Sequence, residues 1–311
     1  MAVTSMSRSS VGFGQEKYNR VSGKNSNLEW CQITTTPTGS FSDTDGVWNY
    51  WVFKSSGTLT VSRSGRIDYL VVAGGATGSS NNTRNNVGGG GAGGVIESPE
   101  YARIDDGSYA VTIGSGGAAT TSTASSNNGN NSSIGSLAVA IAGGGAGDAR
   151  GDSGKDGGCG GASGDGYLAA DNFRPGDGTF GQGFRGGVTN VANGTAGAGG
   201  GAGGVGTGGT VSAVNINGGV GRTTTIISTS IATAQAIGQV DSGNVYFAGG
   251  GGAGGEGAGG LGGGGAGSPV NQRGVDCLAN TGGGSGNADT NEGSPYAGAG
   301  GSGVVIVRTR I

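Results

Sequence analysis

The sequence predicts an all-β protein: a small, jelly-roll-like antiparallel β-sandwich carrying inserted glycine-rich tracts that pack as polyglycine II helices. Three observations predict it. Seventy-nine of the 311 residues are glycine, about one in four against an ordinary usage near one in fourteen. The glycines are localised, with seven in residues 1–70 and 72 in residues 71–311. Short runs of β-branched and aromatic residues, bounded by Gly, Ser or Asn, interleave with the tracts, which is the signature of strands.

Taken in order, the strand runs are Val47–Phe53, Thr58–Val61, Ile67–Ala73, Tyr109–Ile113, Leu137–Ala142, Asn244–Ala248 and Val304–Thr309, with Trp30–Thr36 as a possible eighth. The segment 223–238 places Ile227, Ile231 and Ala234 at helical spacing, but its β-branched content opposes a stable helix, so it reads as a loop or a short helix. The tracts are Val87–Gly94, Gly143–Gly147, Gly157–Gly166, Gly194–Gly209, Gly249–Gly267 and, more loosely, Gly282–Gly303.

Fixing a glycine costs about 0.5–1 kcal/mol more than fixing alanine. Such tracts are therefore either flexible linkers or rods repaid by backbone hydrogen bonds. The extended left-handed helix has three residues per turn and no internal hydrogen bonds. Its peptide groups are free to bond sideways when the side chains are hydrogen or methyl. Proline, which lacks the donor, is almost absent from the tracts. Glycine recurs at every third position from Gly251 to Gly263, the pattern of one bare face. The interleaved apolar strands would anchor such rods and favour the packed alternative. A ten-residue pass would span about 30 Å.

Composition excludes several chemistries. There is no histidine, so Ser-His-Asp and Cys-His triads are impossible and the usual imidazole zinc ligand is missing. The expectation is a non-enzyme without cofactor or metal. Net charge is −3, unlike the basic excess of a nucleic-acid binder. No apolar run is long enough to cross a membrane, and the start lacks the apolar region of a usual signal peptide. Cys31, Cys159 and Cys277 are odd in number and far apart, which reads as reduced thiols rather than a disulfide framework. Asp43 and Asp45, and Asp148, Asp152 and Asp156, could offer oxygens to calcium but are better read as solvated turn residues. The Arg150-Gly151-Asp152 tripeptide reads as chance, and any carboxylate pair leaves a glycosidase as a remote alternative.

Recognition chemistry concentrates between tracts. Residues 167–185 supply Tyr167, Phe173, Phe180 and Phe184 with Arg174 and Arg185, the residue types that anchor recognition surfaces. The alternative is a satellite core packed beneath the loop. Residues 269–278 are a weaker candidate, and residues 79–86 read as a polar tip. The amino-terminal segment, residues 1–46, mixes Arg8, Phe13, Lys17, Tyr18 and Arg20. It reads as an attachment arm that orders on a partner, or as a disordered tail, ahead of a domain spanning residues 47–311.

Phe53-Lys-Ser-Ser-Gly-Thr-Leu-Thr-Val61, Ile67-Asp-Tyr-Leu-Val-Val-Ala-Gly-Gly75 and Gly88-Gly-Gly-Gly-Ala-Gly-Gly-Val95 begin a series of motifs. Tyr109-Ala-Val-Thr-Ile-Gly-Ser-Gly-Gly117, Asn128-Gly-Asn-Asn-Ser-Ser-Ile-Gly135, Ala140-Ile-Ala-Gly-Gly-Gly145 and Gly301-Ser-Gly-Val-Val-Ile-Val-Arg308 complete it. In this order they resemble the glycine-rich domain of bacteriophage tail and fibre proteins, over about residues 47–311. The layout is also similar to glycine-rich regions of some animal receptor ectodomains. The phage resemblance implies a virion protein, made in the host cytoplasm and placed at the tail. Its partners would be other virion proteins and a host surface glycan or outer-membrane protein, with trimerisation as the family expectation. Rival readings are a decoration or cement protein of the particle and an ice-binding protein with a flat Ala/Thr face.

Overall fold

The computed structural model describes residues 29–35, 41–81, 87–98, 100, 102–120, 126–148, 152–164, 174–190, 195–210, 216–255, 257–269, 272–289 and 297–311. The strands in chain order begin with β1 (Gln32–Ile33), β2 (Phe41–Thr44), β3 (Trp48–Phe53), β4 (Gly57–Arg63), β5 (Gly65–Arg66) and β6 (Asp68–Val72). They continue with β7 (Ser80–Asn81), β8 (Val95–Glu97), β9 (Arg103–Ile104), β10 (Gly107–Thr112), β11 (Ser132–Ile134), β12 (Ala138–Ala140) and β13 (Arg222–Thr224). The helix α1 (Thr229–Gln235) follows, then β14 (Gln239–Asp241), β15 (Asn244–Phe247), β16 (Ala288–Asp289) and β17 (Val304–Arg310). The fold is all-β.

Two five-stranded antiparallel sheets, in the orders β1-β4-β10-β11-β12 and β2-β3-β17-β6-β8, enclose one of two large apolar cores. The alternation along the strands shows why. Trp51, Phe53, Tyr69, Val71, Val305 and Val307 point from the second sheet toward Leu59, Val61, Val111, Ile134 and Ala138 of the first. The intervening residues Tyr50, Val52, Leu70, Val72, Val304 and Ile306 point the other way. They are buried against Ile226, Ile227, Ile231, Ile237, Val245 and Phe247, from α1 and the sheet β13-β15-β14 with their connections. The second sheet is thus covered on both faces, so its inner strands β3, β6 and β17 read as nearly unbroken apolar runs. The carboxyl-terminal strand β17 lies between β3 and β6. Near its end Arg308 bonds Asp68 at 3.0 Å, donates to the carbonyls of Thr225 and Ile226, and lies 4.1 Å from the centre of the Trp48 ring.

Residues 29–35 and 41–46, placed by the sequence on the arm side of a boundary at residue 46, contribute β1 and β2 to the two sheets. There the short polar-flanked strands pair with edges that β4 and β3 leave open. The segment 223–238 holds both a strand end and the short helix α1. Ser228 caps the helix at its start, and Ala236 ends it in a left-handed conformation. Ile231 and Ala232 are buried in it, whereas Ala234 is exposed, so the apolar face is turned from the one that the Ile227, Ile231 and Ala234 spacing predicts.

The glycine tracts form neither strand nor helix over most of their length; they cross-link through their backbones. Residues 88–94 give the clearest case. Gly91 and Gly94 donate to Gly144 and Ile141, Gly89 and Ala92 to Gly197 and Gly200, and Gly90 and Gly93 to Ser285 and Gly282. In return the carbonyls of Gly88, Gly91 and Gly94 accept from Ser79, Ala76 and Ala73. Those of Gly89 and Ala92 accept from Ala162 and Cys159, and that of Gly90 accepts from Gly251. Six neighbours surround this pass; five are met at positions three residues apart, and the sixth, Gly251, at Gly90 alone. That period is what a chain with three residues per turn produces. Residues 87–94 are all buried.

The passes are shorter than ten residues; one of seven, such as 88–94, spans about 22 Å at roughly 3.1 Å per residue. The Gly251–Gly263 register is divided accordingly. Gly254 and Gly262, at φ 66° and 105°, reverse the chain, so the every-third-residue pattern runs across turns and does not define one continuous face.

Candidate functional site

The predicted recognition stretch begins in residues 167–173, which lie outside the described residues, as do Arg8, Phe13, Lys17, Tyr18 and Arg20 of the arm; Tyr167 and Phe173 are among them. From Arg174 onward the chain makes an outgoing pass, a turn at Thr179–Gln182 and a returning pass along the array. The outgoing pass is fixed where the Arg174 carbonyl accepts from Gly154 at 2.9 Å and Gly176 donates to Gly161 at 2.8 Å. The returning pass is fixed by Phe184 donating to Gly201 at 3.1 Å, by its carbonyl accepting from Gly160 at 3.0 Å, and by Gly187 donating to Ala198 at 2.7 Å.

The turn is held from several sides. Gln182 and Gly183 both donate to the Thr179 carbonyl, and Thr179 Oγ1 donates to Gly157 at 2.9 Å. Gln182 Oε1 accepts from the Ile141 amide at 2.8 Å. Arg222 reaches across with Nη2 on the Gly181 carbonyl at 3.0 Å and Nη1 on that of Val95 at 3.2 Å. Gly181 takes φ 78° at the reversal, a conformation that glycine adopts without steric cost. At the tip of this clamped turn Phe180 is 102% exposed, and Phe184 is 44% exposed. The satellite core that the sequence left open for these rings is absent at Phe180 and Phe184. Leaving a phenylalanine in water forgoes about 1.5–3 kcal/mol of burial.

Arg174 and Arg185, eleven positions apart, are brought to one cleft of about 650 Å³, which Ser153, Lys155, Asp156 and Asp177 also line. Asp156 Oδ1 accepts from the Asp177 amide at 2.7 Å, Lys155 Nζ donates to the Ser126 carbonyl at 2.7 Å, and the Arg174 amide donates to Ser153 Oγ. The sequence did not reveal that Lys155, Asp156 and Asp177 share a cleft with the arginines. The first two belong to a carboxylate cluster read as solvated turns, and only the stacking of passes brings them here. Gln182 and Arg222 carried no local signal either.

Elsewhere the candidates of the sequence serve the fold. Asp45 Oδ1 accepts from the amides of Val47 and Trp48, and Oδ2 from the Tyr50 hydroxyl. These backbone bonds hold its carboxyl below the usual aspartate value. Burial pushes the Cys31 thiol up to about 11 and that of Cys159 to about 12. The half-exposed Cys277 keeps its sulfur inward and is likewise pushed up to about 12. All three stay protonated at neutral pH, which suits structural rather than nucleophilic cysteines. In residues 269–278, Val275 and Leu278 are exposed beside an Arg273–Asp276 ion pair at 2.7 Å. Ser79 and Ser80, expected at a polar tip, are buried, because β7 pairs with β16.

No curated protein matches the chain. A glycine-rich domain family matches residues 54–310, from just after β3 through all of β17, taking in the array and the turn that carries Phe180. The sandwich strands from β4 onward and the tracts therefore lie within one matched region, and the chain belongs to the glycine-rich domain family.

Proposed function

We propose that this chain is a bacteriophage virion protein, a tail-fibre or adhesin component that binds the host cell surface without catalysing a reaction. The single observation that carries the reading is Phe180: a fully exposed aromatic ring on a turn clamped by Arg222, Gln182 and Thr179. A recognition group fixed in advance loses little freedom on binding, and aromatic and arginine side chains are the usual anchors of a contact. The array supports the reading by supplying stiffness from peptide groups, which leaves side chains for the loops. The virion context rests on the order of motifs shared with phage tail and fibre proteins. Under it, the segment bearing Arg8, Phe13, Lys17, Tyr18 and Arg20 docks on another virion protein, and the chain works as a homo-oligomer at the tail.

The test is adsorption to host cells by particles carrying Phe180→Ala and Phe184→Ala together. Both rings are exposed, so assembly should be normal and adsorption should fall at least about tenfold if they anchor the contact. Normal assembly with normal adsorption would remove the adhesin role and leave a decoration or cement protein.

A further inference from the structure

We infer that the cleft beside the Thr179–Gln182 turn takes an acidic saccharide, its charged group on Arg174 and Arg185 and its hydroxyls on Asp156 and Asp177. This inference rests on the surface-binding reading and names the ligand class for that site. The cleft, about 650 Å³, falls within the range of small-molecule sites. Its walls come from three passes that backbone bonds hold at fixed spacing: Gly154 donates to Arg174, Gly157 to Asp177 and Gly186 to Gly176, at 2.9–3.1 Å.

The charges inside it are unspent. Arg174 and Arg185 are exposed, and neither guanidinium has a hydrogen-bond or ion-pair partner among the described residues. Lys155 is committed through one donor to Ser126 and keeps two more. Asp156 and Asp177 line the same space, and neither pairs with an arginine there; Asp156 uses Oδ1 on the Asp177 amide.

Such a lining selects by contradiction. A small inorganic anion meets two carboxylates, and a simple cation meets two guanidiniums and an ammonium. A ligand with one anionic group and several hydroxyl donors satisfies both sets, since carboxylates accept hydroxyl protons and guanidiniums bond carboxylate or phosphate oxygens in a fork. A sugar bearing a carboxylate or a phosphate has that composition. The exposed Phe184, next in sequence to Arg185, offers a ring for a sugar face at the rim.

The experiment is calorimetric titration of the full-length chain with three oligosaccharides of equal length. One is a polyglucuronate (carboxylate), one a mannose-phosphate oligomer (phosphate) and one a neutral dextran. At least one acidic oligomer should bind, dextran should bind at least about tenfold more weakly, and Arg174→Gln with Arg185→Gln should lower the acidic affinity by about tenfold or more. The acid that binds identifies the charged group. Arg185→Glu, with circular dichroism confirming the fold, should abolish binding. Equal binding of dextran, unchanged binding by the double variant, or no binding of either acid at millimolar concentration would overturn the inference. Adsorption of the same proteins to host cells separates it from the reading beneath it. Cell binding that survives loss of both arginines rejects the cleft and keeps the adhesin. Arginine-dependent saccharide binding without cell binding keeps the cleft and rejects the adhesin.

Discussion

Gly199 shows what the array demands of a single residue. A β-carbon at this position would overlap the carbonyl of Gly90, which is backbone and has no side chain to move aside. The same holds at Gly160 against Gly176 and at Gly251 against Ser285. Overpacking ordinarily costs about 1–3 kcal/mol, and a clash with a cross-linked backbone belongs at the upper end or beyond. Gly199→Ala is therefore expected to destabilise the protein by at least about 3 kcal/mol. Gly255→Ala, where the nearest atom is the Pro269 Cα at 4.0 Å, should change little. Thermal melts of the two variants check this: similar melting temperatures would mean that close approach is not what selects glycine. At this scale the sequence was legible for the glycines as a class. It did not distinguish those at reversals, such as Gly254, from those inside passes.

Strands were legible where burial is two-sided. β3, β6 and β17 are apolar at consecutive positions because both faces of their sheet are covered, and all three were evident as runs. β8, β11 and β14 were not, because three residues with one or two apolar members become strands only when a neighbouring edge accepts them. The hairpin of β2 and β3 shows local polar chemistry doing similar work. Its turn depends on the Asp45 carboxylate accepting from Val47, Trp48 and Tyr50. Because the folded protein holds this carboxyl below its ordinary value of 3.8, its contribution is complete above that value and is lost as pH falls through the lowered one. The melting temperature of the natural protein should thus decline on acidification below the ordinary aspartate range. Asp45→Ala should start lower at neutral pH and show a shallower decline. Parallel curves across pH 2–7 would remove Asp45 from the acid response.

At the scale of the whole molecule, two kinds of order share one chain. The sandwich is held by side-chain burial and the array by peptide groups, and β17 closes the sandwich after the last pass returns. The site follows the same division. Arg174, Phe180, Phe184 and Arg185 were legible as a local cluster of large residues in a glycine background. Their neighbours Lys155, Asp156 and Arg222 were not, because the stacking of passes brings together positions with no common local pattern. That stacking is the central claim, and amide hydrogen exchange tests it most directly. If residues 88–94 are bonded to their six neighbours, their amides open only with large-scale unfolding and exchange at least about a thousandfold slower than in an unstructured peptide, at rates similar to those in β3 and β17. Exchange in 88–94 at unstructured-peptide rates, with β3 and β17 still protected, would contradict the array and leave the sandwich standing alone.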